Sequence, residues 1–268
     1  MTISALTVKE LREKTGVGMM DCKKALSESD GDLEKAIKFL REKGLATAGK
    51  KSERATNEGR IFIQKKDQGA AILELSCETD FVANNEDFIQ AGNEIVTFVL
   101  DQKVTAKDVL ENAVLNGKEF KSYISELILK VGENISIGKI SYIEEKGIAD
   151  YTHMNGKIGV LVAFSDSVDE SFGKDIAMHI AAANPSYLER KDVVSDEIEK
   201  ESEIIRSQAK NEGRPDQVID KIVEGKINKY YKEVCLLEQA FVKDQDKDIQ
   251  SILPSGIGIV SFIRYSLG

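Results

Sequence analysis

The residue types that most often carry catalysis or bind metal ions are sparse and scattered in this sequence. Histidine occurs only as His153 and His179, and the three cysteines are Cys22, Cys77 and Cys235. Metal sites and nucleophilic catalysis use such residues in close sets, as in the HExxH, paired CxxC and GxSxG motifs, and none of these occurs. The sequence therefore predicts neither a catalytic residue nor a metal site.

Two glycine-containing segments resemble phosphate-binding loops but differ from them at critical positions. The segment GENISIGKI, residues 132–140, has five residues between its glycines, whereas a Walker loop has four. Ile140 also replaces the Ser or Thr that would hold magnesium in such a loop. A second segment, Gly16-Val17-Gly18, has no predicted strand before it. We therefore expect that the chain binds no nucleotide and no other cofactor.

One short segment combines an acidic side chain with apolar side chains at a predicted turn. Thr79-Asp80-Phe81-Val82 lies between a predicted strand and a predicted helix. Phe81 or Val82 can pack on Phe88 below the start of that helix, as a hydrophobic staple. Alternatively, the segment presents an apolar wedge and a carboxylate to another protein from a rigid position. The residues alone leave both interpretations open.

Length, composition and charge narrow the classes of function. The 268 residues favour about two domains, and the formal net charge is −9. That charge argues against binding of a nucleic-acid backbone, which needs clustered Lys and Arg. No apolar run approaches the ~18 residues of a membrane span, and the N-terminus does not resemble a secretory signal. Three widely spaced cysteines are typical of buried thiols in a reducing compartment, so we expect a cytoplasmic protein with no membrane contact.

The elements that position the short segment begin with an N-terminal helical region. Three amphipathic patterns in residues 1–46 predict a three-helix bundle. Its third helix is capped by Asp30 or Asp32 and is predicted to end at Gly44. The small and charged residues 47–58 are typical of a linker.

The remaining chain predicts an α+β core with an insertion. The order strand, strand, helix occurs twice, in residues 59–148 and in residues 149–268, which predicts two similar subdomains. In the first, Ala70–Cys77 alternates in polarity and predicts a strand with one exposed face. Residues 188–230 hold two charged helices with a narrow apolar seam, typical of a projecting antiparallel hairpin. This hairpin is either a partner-binding arm or a structural elaboration.

Several segments, in order along the chain, resemble signatures of the translation elongation factor Ts family. They are Val8–Leu26, Glu78–Ala83, Gly132–Ile135, Ile176–Ala182 and Phe262–Tyr265. The resemblance covers residues 1–267. It implies a ubiquitin-associated-like three-helix domain, a two-part core of antiparallel sheet and helix, and an inserted antiparallel coiled-coil hairpin.

The resemblance also implies a function. Members of the family bind elongation factor Tu, in GDP-bound and nucleotide-free forms, and accelerate GDP release without bond chemistry of their own. Phe81 is then expected to act as a wedge and Asp80 to perturb groups near the partner's magnesium ion, with Thr79 and Val82 framing them. Further implied partner contacts are Arg12, Met19, Met20, Lys23, His153, Phe241 and Val242. No cofactor, nucleic acid or membrane is implied, and homodimerisation through the core is an arrangement that some relatives adopt.

Some of the implied contacts have plainer alternatives. Met19 and Met20 can belong to the bundle core, although two adjacent residues cannot both point into one helix stripe. His153 can be an ordinary turn residue, and His179 is expected to pack within an apolar helix face. Lys243 follows the implied contact at Val242, and the resemblance leads us to expect an apolar residue at position 243.

Two other functions stay open. A plain binding scaffold predicts complex formation without faster nucleotide release. A hydrolase with dispersed carboxylates predicts turnover in the absence of any GTPase partner.

Overall fold

The computed structural model describes residues 3–267 and confirms the α+β class. The helices in this range are α1 (Ala5–Thr15), α2 (Met19–Glu28), α3 (Leu33–Lys51), α4 (Asp80–Ala83), α5 (Glu86–Asp101), α6 (Lys107–Glu111), α7 (Phe120–Val131), α8 (Glu170–Ala183), α9 (Ser195–Asn211), α10 (Asp216–Val234) and α11 (Ile249–Ile252). The strands are β1 (Glu58–Lys66), β2 (Gly69–Cys77), β3 (Val114–Leu115), β4 (Lys118–Glu119), β5 (Ile135–Glu144), β6 (Gly147–His153), β7 (Ile158–Phe164), β8 (Ala240–Phe241), β9 (Asp244–Asp248) and β10 (Ile259–Ser266).

The strands form two three-stranded sheets and two short two-stranded pairs. The larger sheets have the orders β1-β2-β5 and β6-β7-β10, and the short pairs are β3–β4 and β8–β9. The described residues divide into two compact units. The first comprises 3–143, Thr152–Gly159 and 265–267, and the second comprises Glu144–Tyr151 and Val160–Arg264. The finer division at residues 46, 58 and 148 stays a prediction.

The three N-terminal helices form where the sequence predicts them, with one correction. Gly16 ends α1 in the left-handed conformation, at φ 67°, and the Asp32 carboxylate caps α3 by accepting the Lys35 N–H at 3.0 Å. Gly44, however, does not end α3, which continues to Lys51 through the start of the predicted linker. A Cβ at residue 44 would lie only 3.2 Å from the Ser125 carbonyl oxygen. This glycine therefore allows α3 to approach α7 closely rather than ending a helix.

The hairpin of β1 and β2 and the long helix α5 form the core of the first unit. The strands are antiparallel, with Phe62 opposite Leu73, and α5 buries Phe88, Ile95 and Val99. The prediction that β2 has an exposed face is wrong, because all of its residues except Glu74 are buried. Both faces of β2 are therefore covered by other parts of the protein.

The second half of the chain repeats the order of hairpin and helix. β6 and β7 are joined by a 3₁₀ turn at Met154–Gly156, and α8 follows, ending at Asn184 in the left-handed conformation. The predicted helical hairpin is present as α9 and α10, which enclose a small apolar seam of Ile205, Ala209, Ile219 and Val223. None of the helices within residues 3–267 is both long and apolar enough to cross a bilayer.

Candidate functional site

The short segment singled out in the sequence folds as a corner between β2 and α5. We call residues 79–83, which comprise Thr79 and the four-residue helix α4, the α4 corner. The Thr79 backbone is extended, at φ −128° and ψ 158°, and its hydroxyl accepts the Val82 N–H at 3.4 Å. Asn85 then caps α5 by accepting the Asp87 N–H at 2.8 Å. Two consecutive side-chain caps thus turn the chain sharply at this point.

The two large apolar residues of the corner, Phe81 and Val82, have opposite surroundings. Val82 is 8 % exposed and joins the core cluster that contains Phe88. Phe81 is 84 % exposed, the highest value among the exposed large hydrophobic residues described, and Asp80 beside it is also exposed. The staple interpretation therefore fits Val82. The ring of Phe81, in contrast, is exposed to solvent and does not contribute to the core. An exposed aromatic on a fixed element is typical of a residue that binds a partner.

Glu133 fixes the N-terminal side of the α4 corner. Its carboxylate accepts the Glu78 N–H at 3.1 Å, the Thr79 N–H at 2.9 Å and the Thr79 hydroxyl at 2.6 Å. In return, the Glu78 carboxylate accepts the Asn134 N–H at 2.7 Å, and Arg54 lies 3.4 Å from it. The backbone hydrogen bond from Asn134 and the nearby guanidinium lower the pKa of Glu78.

Arg60 fixes the C-terminal side. Its Nε donates to the Ala83 carbonyl oxygen at 2.7 Å, and its two terminal nitrogens donate to the side-chain oxygens of Asn84 and Asn155. The Asn155 amide also donates to the Asn84 oxygen, at 3.0 Å. A single guanidinium thereby joins the end of α4 to the turn between β6 and β7.

The thiol below the corner is buried and inert. Cys77 donates to the Thr79 carbonyl oxygen at 3.1 Å. Burial, followed by the nearby Glu133 carboxylate, raises its pKa to about 12. A thiol in this state is a packing residue rather than a nucleophile. Within residues 3–267, no group of three or more His, Cys, Asp or Glu side chains is arranged to hold a metal ion.

The N-terminal residues of interest lie on the outer surface of the helical bundle. Met19 is 51 % and Met20 is 77 % exposed, and Arg12 and Lys23 are exposed as well. The core of the bundle is built instead from other residues of the three helices, among them Leu11, Cys22 and Leu26. The interpretation of the methionines as core residues is therefore wrong for both.

The structure brings the His153 turn close to the α4 corner. His153 is the last residue of β6 and is exposed, and Asn155 two residues later contacts Asn84 directly. Met154 between them is exposed and has a positive φ of 49°. Residues other than glycine adopt this backbone conformation at a cost in free energy. Two segments that are about seventy residues apart in sequence thus meet at one surface of the first unit.

Phe241 and Val242 lie in the second unit, beside the buried His179. Nδ1 of His179 accepts the Val242 N–H at 3.3 Å, so the other ring nitrogen, Nε2, donates to Gln239 at 3.0 Å. Burial lowers the pKa of this histidine, and it packs as expected, 6.0 Å from the Phe241 ring. Val242 is exposed, and Lys243 after it pairs with Asp175 of α8 at 2.6 Å.

Sequence reasoning missed the two residues that hold the corner at its ends. Arg60 and Glu133 come from β1 and from the connection between α7 and β5, far from residues 79–83 in sequence. Glu133 lies in the segment that was compared with a phosphate loop, and its carboxylate binds backbone N–H groups of its own chain. No spacing rule in the sequence joins these three segments.

Most of the chain matches the model of a known protein family. The model described as elongation factor TS matches residues 78–268. This stretch is more than two thirds of the chain and includes the α4 corner, His153, Phe241 and Val242. The helical bundle that carries Arg12, Met19, Met20 and Lys23 lies outside the match.

Proposed function

The chain belongs to the elongation factor Ts family, and from that premise we propose that it binds elongation factor Tu and accelerates the release of GDP. Membership implies a role in translation elongation and no bond chemistry of the chain's own. The observation that carries the finer proposal is Phe81, an aromatic ring 84 % exposed on a corner that is fixed at both ends. Such a ring is positioned to enter a pocket of another protein without first being ordered.

The proposed mechanism is a coupling of two binding equilibria. A factor that binds the nucleotide-free partner more tightly than the loaded one weakens nucleotide binding by the same factor. Phe81 supplies apolar surface for a wedge between partner elements, and the adjacent Asp80 places a carboxylate near the partner's magnesium ion. A tenfold faster release requires only ~1.4 kcal/mol of barrier lowering.

The other proposed contacts extend the interface beyond the corner. Met19 and Met20 offer exposed, flexible apolar side chains, with the cations Arg12 and Lys23 on the same pair of helices. Methionine adapts to irregular partner surfaces. In the second unit, Val242 offers a smaller exposed apolar contact.

Further parts of the proposal concern architecture and partners. The helices α1 to α3 support a ubiquitin-associated-like domain, and α9 with α10 supports a coiled-coil hairpin. The interaction requires no cofactor, nucleic acid or membrane, and two copies can pair through the core.

The proposal is tested by stopped-flow release of a fluorescent GDP analogue from elongation factor Tu, with and without this protein. We expect release to accelerate and to saturate with protein concentration. Binding with unchanged release would favour the scaffold function instead. Absence of binding would contradict both.

A second measurement addresses the helical hairpin. Deletion of residues 188–230, closed by a short flexible linker, is expected to leave most of the exchange activity, because the α4 corner is in the other unit. Loss of all exchange in a deletion variant whose remaining core is folded would contradict this expectation.

A further inference from the structure

We propose that Arg60 and Glu133 are positioning residues that hold the α4 corner in the orientation required for nucleotide release. The inference rests on the proposed exchange function and deepens it, because neither residue belongs to the segment that is expected to touch the partner. It predicts that the exchange activity depends on two polar side chains that do not touch the partner. Arg60 and Glu133 act by fixing the position of Phe81.

The corner needs support because its own elements are too small to fix it. A helix of four residues is not stable by itself, since nucleation costs more than so few hydrogen bonds return. Asp80 and Phe81 are exposed, so the apolar attachment of α4 to the core comes from Val82 and Ala83. Because these two buried side chains are short, the two ends of the α4 backbone need polar contacts to fix them.

Glu133 provides three such contacts at the start of the corner. One carboxylate oxygen accepts two backbone N–H groups and the other accepts the Thr79 hydroxyl, all within 3.1 Å. An ionised acceptor makes each of these bonds stronger than a neutral one. Replacing it by glutamine keeps the volume, but its single, uncharged oxygen accepts the two N–H groups more weakly, and its NH₂ group forces the Thr79 hydroxyl to accept instead of donate. Glu133→Gln therefore weakens these contacts without opening a cavity.

Arg60 provides the contacts at the end of the corner. Its planar guanidinium reaches the Ala83 carbonyl, Asn84 and Asn155 at the same time. A lysine ammonium is a single point and cannot span three acceptors in this geometry. Arg60→Lys therefore keeps the positive charge while losing the multiple attachment.

A held corner lowers the cost of binding. Ordering a loop and an aromatic side chain on association costs free energy that a preorganised element does not lose again. If the corner moves, Phe81 reaches the partner in the wrong orientation for part of the time, and release becomes slower at any given concentration.

The experiment compares full-length Arg60→Ala, Arg60→Lys and Glu133→Gln with the wild type in the fluorescent GDP release assay. We expect each to lower the ratio of maximal release rate to half-saturating concentration by about tenfold, or ~1.4 kcal/mol. Arg41→Ala is the matched control, because Arg41 is a surface arginine of the same unit that pairs with Glu126 at 3.3 Å and does not contact the corner. It is expected to match the wild type.

A double-mutant cycle with Phe81→Ala separates positioning from general stability. If Arg60 and Glu133 act through Phe81, adding Arg60→Ala or Glu133→Gln to Phe81→Ala changes the exchange rate by less than about twofold. Losses that multiply independently would overturn the inference. Should Arg60→Ala melt at a lower temperature than the wild type, the cycle with Glu133→Gln, which keeps side-chain volume, decides the question.

The outcomes distinguish this inference from the function on which it rests. A wild-type protein that does not accelerate release contradicts the exchange function itself. Exchange that is fast in the wild type, slow in Phe81→Ala and undiminished in the Arg60 and Glu133 variants contradicts only the positioning role.

Discussion

Two regions of the chain share one order of hairpin, helix and third strand, and they differ at the connection from the hairpin to the helix as well as in what precedes the third strand. In the first, the hairpin β1–β2 is followed by α5, and β5 later adds beside β2; in the second, the hairpin β6–β7 is followed by α8, and β10 adds beside β7. Each pairs a strand aromatic with a helix aromatic. The Phe62 and Phe88 ring centroids are 6.1 Å apart at 51°, and those of Phe164 and Phe172 are 6.3 Å apart at 50°.

The connections from strand to helix are built differently. Between β7 and α8 the chain uses a short polar loop, residues 165–169, in which Asp169 caps the helix. Between β2 and α5 it inserts the α4 corner, with an exposed phenylalanine and two attachments to distant segments. Since the second region forms the same hairpin and helix without such a corner, the fold does not require it. The exposed Phe81 is therefore not required by this fold, which is consistent with its proposed role in binding.

The largest predicted effects concern what the two regions share. Phe88→Ala and Phe164→Ala remove rings that are fully buried, and each is expected to lower the free energy of unfolding by about 3–5 kcal/mol. Urea unfolding followed by circular dichroism measures this, with Val114→Ala, an exposed residue, as the control. If only one of these two variants lost about 3–5 kcal/mol of unfolding free energy and the other lost little, the two regions would not correspond.

The next effect concerns what they do not share. Phe81→Ala is expected to leave the urea midpoint unchanged, because the ring buries almost nothing. It should slow the protein-stimulated release of GDP by about thirtyfold, which is the ~2 kcal/mol typical of an interface anchor. Full exchange activity in this variant would remove the functional difference between the two connections.

Sequence patterns located most of these elements and the corner itself, because caps, turns and apolar periods are local signals. Of the two caps predicted for the third helix, Asp30 and Asp32, the structure confirms Asp32. Gly44 was misinterpreted, because glycine both ends helices and lets two backbones approach. The roles of Arg60 and Glu133 were not predictable, since their partners lie 23 and 54 residues away at the closest contacts with the corner.

A smaller effect tests how closely each helix packs on its hairpin. A Cβ at Gly92 of α5 would lie 2.2 Å from the Phe62 ring, and one at Gly173 of α8 would lie 2.7 Å from the Ala149 Cβ. Overpacking costs about 1–3 kcal/mol, and the gain in helix propensity of about 1 kcal/mol offsets part of it. Gly92→Ala and Gly173→Ala should therefore each be destabilised by about 1 kcal/mol net.

The control for these glycine variants is Gly225→Ala in α10. No heavy atom outside its own helix lies within 4 Å of the added Cβ, so the substitution should raise thermal stability through helix propensity alone. If Gly92→Ala and Gly173→Ala also raised the melting temperature, the close approach of helix and hairpin would not be a shared feature.

The smallest predicted effect is a difference in how the stability contributed by the helix caps of α5 and α8 depends on pH. Asn85 caps α5 with an uncharged side chain, whereas hydrogen bonds from the Ser171 hydroxyl and the Phe172 N–H lower the pKa of Asp169 below its ordinary value of 3.8. A carboxylate with a lowered pKa in the folded state contributes stability above its unfolded value, and that contribution disappears as the pH falls through the folded value. Asp169→Asn keeps a good cap, so it should match the wild type near pH 7 and lose less stability below pH 3.8. Urea midpoints measured across that range test this, and identical acid profiles for the wild type and Asp169→Asn would show that the two caps are equivalent despite their chemistry.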